Sequence, residues 1–235
     1  MGEADENRRG SELMEYTDYF SMPEPSIVKE TDDFIITDKP SGLLTIAGRG
    51  ESQSDDNLAD MLRKKYGEIY VLHRLDRDVS GLVMFARNAE AHRYYSGLFE
   101  TREITKMYTA LVCGKMTGRG EINKPLSQRG SGRVSVAFDG KHSLTRWRVM
   151  RNYGNDYTLA EAEIITGRRH QIRVHFYSEG HPIAGDSLYG NKETCRMFPR
   201  IMLHSWKMRF KDRNGKNVYA EAEPPSDFLH MLEMI

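Results

Sequence analysis

Cysteine is nearly missing: Cys113 and Cys195 are the only two in 235 residues. They lie far apart and form no C-x-x-C pair, which excludes a disulfide framework and a cysteine zinc site and fits a reduced setting. No apolar run approaches the roughly 18 residues that a membrane-spanning helix needs. The first residues, Met1-Gly2-Glu3-Ala4-Asp5-Glu6, are acidic and lack the apolar stretch of a secretory signal, so the cytoplasm is the expected location. Internal repeats and low-complexity tracts are absent too. So is net charge, with 34 basic and 34 acidic side chains. The balance hides an uneven spread. Residues 1–60 hold fifteen acidic and five basic side chains, whereas residues 101–151 hold eleven basic and three acidic. A local excess of that kind can neutralise phosphates, so a nucleic-acid partner stays open although the chain as a whole is no polycation.

What is present suffices for a core, since 39% of residues are hydrophobic. Residues 1–25, acidic and interrupted by Pro23 and Pro25, read as a flexible extension, and 26–235 as a single domain. Strands are expected at Asp33–Asp38, Leu82–Ala86, Thr105–Cys113, Leu144–Met150, Tyr157–Ile165, Arg200–Phe210 and Asn217–Glu221. Helices are expected at Ser54–Tyr66, at Asn88–Thr101 capped by Asn88, at about Arg168–Glu179, and at the C-terminus capped by Ser226. Gly114–Lys141, rich in Gly, Ser, Arg and Lys, reads as a basic surface loop or hairpin. The fold class is mixed α+β: a largely antiparallel, curved central sheet with flanking helices and loops.

Two polar clusters interrupt this pattern. His73-Arg74-Leu75-Asp76-Arg77-Asp78-Val79-Ser80-Gly81 places charged residues between two apolar runs, where loops present reactive groups. Thr166-Gly167-Arg168-Arg169-His170-Gln171-Ile172-Arg173-Val174-His175 crowds arginines and histidines together. Metal binding by His73, His170 and His175 is disfavoured. Two histidines five apart do not share a helical face, and arginines repel a cation. There is no G-x-S-x-G elbow, and Gly48-Arg49-Gly50 falls short of a phosphate loop. What remains is a carboxylate among arginines: Asp76 with Arg173 or Arg168. An ionised carboxylate can attack an electrophilic sugar carbon. A glycosidase would want a second carboxylate at a defined distance, for which Asp78 is the near candidate, though it reads as pairing with a neighbouring arginine.

The blocks His73-Arg74-Leu75-Asp76 with Ser80-Gly81, Lys106-x-Tyr108-x-Ala110, Thr166-Gly167-Arg168-x-His170-Gln171-Ile172-Arg173-x-His175, Gly180-His181-Pro182-Ile183 and Gly185-Asp186-x-x-Tyr189-Gly190, in that order, resemble the signature blocks of the RluA-type pseudouridine synthases. Lys39-Pro40-Ser41-Gly42-Leu43-Leu44 resembles that family's opening block. The resemblance spans residues 27 to 228. Val79 departs from it, standing where the family usually has threonine, and residues 1–25 are too short for the S4-type RNA-binding module of many relatives.

The resemblance implies isomerisation of uridine to pseudouridine in a ribosomal or transfer RNA stem-loop, without cofactor or metal, by a protein expected to be a monomer. It implies that Asp76 is the essential carboxylate, Arg173 its ion-pair partner and Tyr108 an aromatic wall or base. Arg74 would contact phosphate or fill the gap left by the flipped nucleotide. His73, Arg168 and His170 are further candidates for substrate contact, and Arg129 and Arg133 in the basic segment for the flanking RNA backbone. Asp186 is expected to be structural, bonding loop amides. The alternative is a catalytically inactive RNA-binding protein of the same fold.

Overall fold

The computed structural model describes residues 24–48, 57–128, 133–190 and 197–235. Cys195, Arg129, Ser54 and most of the acidic extension lie outside them. Twelve strands are found among the described residues: β1 (Ser26–Glu30), β2 (Phe34–Lys39), β3 (Tyr70–Val71), β4 (Ser80–Ala86), β5 (Thr105–Cys113), β6 (Arg119–Asn123), β7 (Leu126–Gln128), β8 (Val134–Val136), β9 (Leu144–Tyr153), β10 (Tyr157–Ile164), β11 (Leu203–Lys211) and β12 (Asn217–Glu221). The helices are α1 (Leu58–Tyr66), α2 (Ala89–Glu100), α3 (Gln171–Ser178) and α4 (Ser226–Met234). Ten strands form one sheet in the order β1-β2-β4-β11-β5-β10-β9-β6, with β3 also on β4 and β12 also on β11. Every pairing is antiparallel except that of β4 with β11. The α+β class and the largely antiparallel sheet are thus as expected.

The sheet divides two apolar layers, which explains why β4 reads as an uninterrupted apolar run. Val83 and Phe85 face the larger core with α1 and α3, while Leu82, Met84 and Ala86 face a second core with Ala91 and Tyr95 of α2. A strand covered on both faces loses its period-two signal. Where β4 runs beside β11, Gly81 has φ +112, and a Cβ there would stand 2.2 Å from the Ser205 carbonyl oxygen. Only glycine permits that approach.

Several boundaries differ from expectation. α1 starts at Leu58, where the Asn57 side chain accepts from the Asp60 N–H and caps it; the expected start at Ser54 lies outside the described residues. Ser226 is the first residue of α4 and makes no capping bond, with Pro225 at the cap position. The last long strand begins at Leu203, not Arg200, and Leu144–Met150 continues to Tyr153. The 114–141 segment carries β6 at the sheet edge and the β7–β8 hairpin. α3 begins at Gln171, not Arg168: His170 is left-handed at φ 54, and the Gln171 side chain accepts from the Arg168 N–H and the Thr166 hydroxyl, fixing Arg168–His170 as a loop.

Two histidines are built in as neutral acceptors or donors. His73 Nε2 accepts from the Met84 N–H, and His204 bridges the Ser80 hydroxyl and the Ala222 carbonyl. Burial, with Lys106 nearby, pushes His73 down to about 3, and burial pushes His204 down to about 4. Below the ordinary value of 6.5 the unfolded chain takes up protons that the fold refuses. Stability therefore falls as pH drops through that window, by up to about 1.4 kcal/mol per pH unit for each histidine. Urea unfolding between about pH 6 and about pH 5 should show a shallower loss in His204→Gln than in the unaltered protein; equal slopes would contradict this assignment.

Candidate active site

The two polar clusters meet across one cleft of about 1500 Å³. The Asp76 loop is fixed from below by the Lys39-Pro40-Ser41-Gly42 turn. Lys39 is fully buried, and its Nζ donates to the carbonyls of Pro40, Leu43 and Arg77 at 2.8, 2.7 and 2.9 Å. Three donors meet three acceptors, so the ammonium locks the turn to the loop. Burial pushes Lys39 down to about 7, against the pull of Asp78 and then Asp76. The charge facing Asp78 is therefore this lysine; the expected pairing with an arginine is not found among the described residues. Ser41 donates to the Asp78 carbonyl, and Thr45 exchanges two bonds with the Leu75 backbone. Val79 is buried in the larger core, so the departure at this position is absorbed by packing.

α3 brings Arg173 to this loop from 97 positions further along the chain. Its Nη1 donates to Asp76 Oδ2 at 2.9 Å, while Nε and Nη2 donate to the two oxygens of Asp186, both at 2.8 Å. Burial draws the guanidinium down, but the bonds to Asp186 and the charges of Asp186 and Asp76 outweigh it and leave Arg173 above its ordinary value. The Asp186 side chain is 0% exposed and also accepts the N–H groups of Leu188 and Tyr189 at 2.9 and 3.1 Å, as expected of a loop-bonding aspartate. Its bidentate bond to Arg173 was not expected from sequence. Gly185 makes this possible: a Cβ there would stand 2.0 Å from the Arg200 carbonyl oxygen.

Asp76 differs from Asp186 in kind. Its side chain is 20% exposed on the cleft, Oδ2 takes the bond from Arg173, and Oδ1 accepts no hydrogen bond among the described residues. One oxygen is clamped and the other is available. His170 Nε2 lies 3.7 Å from Oδ2, and its Nδ1 is 2.9 Å from the Tyr189 hydroxyl. Burial lowers His170, with Asp76 opposing. Tyr189, for which the sequence suggests no role, also takes the Val134 N–H at 3.0 Å and lies 5.2 Å beneath the Arg173 guanidinium, tying the β7–β8 hairpin to α3. A buried tyrosine needs such partners, which is the signal that points to it.

Tyr108, on β5, is buried beside the cleft, and burial with the charge of Asp76 raises its phenol above the ordinary value. Arg74 lines the cleft and is exposed. His73 lines it too, as an acceptor whose ring is tilted against Phe99 with centroids 4.9 Å apart. Arg168 does not pair with Asp76; its Nε donates to the His142 carbonyl at 3.3 Å. Arg133 donates to the Leu188 carbonyl at 2.6 Å. Seven arginines or lysines line the cleft against three acids, which suits a polyanion. No helix among the described residues is long and apolar enough to cross a membrane.

Residues 33–178 match the family described as RNA pseudouridylate synthase. The chain is similar to the dual-specificity RNA pseudouridine synthase RluA of Pasteurella multocida (strain Pm70), 36% identical over 208 residues, a match covering 87% of this chain and 94% of that protein. It is also similar to the ribosomal large subunit pseudouridine synthase D of Haemophilus ducreyi, 32% identical over 89% of this chain and 70% of that protein. Among solved structures, human RNA pseudouridylate synthase domain containing 1 superposes with a TM-score of 0.74 at 26% identity, covering 87% of this chain and 85% of that one.

Because Arg173 holds two carboxylates, Arg173→Met should cost about 3–5 kcal/mol of unfolding free energy. Asp76→Asn, which leaves Arg173 paired with Asp186, should cost about 1 kcal/mol or less. Equal losses in urea titrations would contradict Arg173 as the hub.

Proposed function

The chain belongs to the RNA pseudouridylate synthase family, of the RluA type, and from that premise we propose that it isomerises uridine to pseudouridine in a structured RNA, a ribosomal or transfer RNA stem-loop, with Asp76 as the essential carboxylate. The observation that carries this reading is the asymmetry at Asp76: one oxygen held by Arg173, the other unbonded at the wall of a basic cleft. The relatives named above are described as acting on RNA, one of them on the large ribosomal subunit.

The reaction breaks the N1–C1′ bond, turns the uracil and joins C5 to C1′; the C5 proton is lost and N1 gains one, so nothing is oxidised or reduced. C1′ is out of reach in a stacked helix, and flipping the nucleotide costs a few kcal/mol, least in a loop. Asp76 Oδ1 can attack C1′ directly, with Arg173 keeping the carboxylate aimed, or it can take the C2′ proton to give a glycal. Both routes use the same free oxygen. Burial keeps the Tyr108 phenol protonated at neutral pH, which supports it as a wall against the uracil face in preference to a resting base. Arg74 would meet phosphate or fill the space left by the flipped nucleotide. Arg133, with Arg129, would contact the flanking backbone. His170 would bound the sugar side of Asp76, and Arg168 the rim. No cofactor enters, and the protein would act as a monomer in the cytoplasm. A binding protein with an inert cleft has no use for an arginine forked between two carboxylates.

Asp76→Asn should abolish pseudouridine formation while leaving affinity for RNA within about threefold, because an amide keeps the shape and loses the nucleophile. The measurement is a pseudouridine map of total RNA from cells lacking the gene, treated with either protein. Modification by the asparagine variant would overturn the role given to Asp76.

A further inference from the structure

Lys106 is a cation that the chemistry at Asp76 does not use. It lines the cleft, yet among the described residues its Nζ has no hydrogen-bond acceptor and no carboxylate within ion-pair distance. Its Nζ lies over the Phe99 ring, whose centroid is 4.9 Å away. Burial alone acts on it and lowers the ammonium to about 8, still charged at neutral pH. The other lysine of the site, Lys39, is saturated by three carbonyls, and Arg173 is engaged by two carboxylates. Lys106 is prepared for an anionic partner that the described residues do not supply.

The surroundings say what that partner is. Across from Lys106 the backbone passes at Gly167, where even a Cβ would lie 3.8 Å from Nζ, so no side chain from that residue fills the approach. At the rim stands Arg102, held left-handed at φ 64 by the turn that ends α2, and Arg168 lines the facing wall. His73 on the near side is neutral and Glu100 is out at the solvent edge, so neither competes as an anion inside. Lys106 and Tyr108 are two residues apart on β5 and line the same cleft, so they share a face about 7 Å apart. Tyr108 is close enough to Asp76 for its charge to act on the phenol. An anion at Lys106 is thus displaced along the strand from the reacting sugar by about one step of a polynucleotide.

We propose that Lys106 receives a backbone phosphate of the RNA next to the nucleotide seated at Asp76, with Arg102 closing over it from the rim. This rests on RNA being the ligand of the cleft, and it adds a contact that sets affinity and register. The ammonium exchanges a desolvated, unpaired state for a charge-assisted bond, which is why the free protein leaves it empty-handed.

The test uses a fluorescent RNA hairpin with uridines in its loop and full-length protein carrying Asp76→Asn, so that binding is read without turnover. Lys106→Gln should weaken binding about tenfold at low salt. It should also reduce the slope of log affinity against log salt by about one. Lys106→Arg should restore most of both. Lys216→Gln, on the exposed β11–β12 turn, should change neither. Replacing single loop phosphates by neutral methylphosphonates should find one linkage that costs the Lys106 protein affinity and costs Lys106→Gln nothing. An unchanged salt slope in Lys106→Gln overturns the proposal. If that variant does not fold, amine-selective acylation of the unaltered chain decides: RNA should protect Lys106, and undiminished labelling in the bound state overturns the proposal. A phosphate contact found at Lys106 in a protein that never forms pseudouridine would refute the functional reading and keep this one.

Discussion

Arg173 is the interaction on which the site depends. Its guanidinium uses three of its donors on two carboxylates of opposite character, one fully buried and one open to the cleft. A buried ion pair is expensive unless its remaining lone pairs are satisfied, and Asp186 is satisfied by two loop amides besides the guanidinium. Asp186 therefore fixes the plane of Arg173, and only the remaining Nη1 is left to hold Asp76. The planar fork is what lets one residue do both, and a lysine could not.

Around that hub the molecule separates charges that are spent from charges that are not. Lys39 is consumed in joining the opening turn to the Asp76 loop, and His73, His175 and His204 are held by backbone or hydroxyl partners inside the fold. Those groups make the loop rigid. Among the described residues Asp76 Oδ1 and Arg74 make no hydrogen bond and Lys106 meets a ring but no anion, and all three line the same cleft. Preorganised, unspent groups in a partly desolvated cleft are where binding and reaction can be assisted without rearrangement. The overall charge of zero is thus compatible with an RNA ligand, because the acids are concentrated elsewhere in the chain.

Much of this was legible in the residues. The loop holding Asp76 stood out because charge interrupted two apolar runs, and its partnership with Arg173 followed from a family resemblance that the contact at 2.9 Å matches. The all-buried β4 was legible for the same reason that its faces were not: with apolar layers on both sides, no alternation remained. α3 hid its start because nearly all its residues are buried, leaving no polar stripe to time the helix. Lys39 in a Pro/Gly turn resembles any surface lysine; its burial depends on carbonyls from two separate loops, which no local pattern encodes. The bond from Arg173 to Asp186 needed the loop after α3 to fold back beneath it. β1 and β6 lie at the sheet's edges, where exposed residues blur the strand period.

A buried aspartate with no place in the cleft sets the aim of the one that has. The decisive experiment is Asp186→Asn, assayed for pseudouridine formation and for RNA affinity on protein shown to be folded. Turnover should fall on the order of a hundredfold, as expected for a misplaced reacting group, with RNA affinity nearly unchanged. Turnover equal to that of the unaltered protein would contradict it.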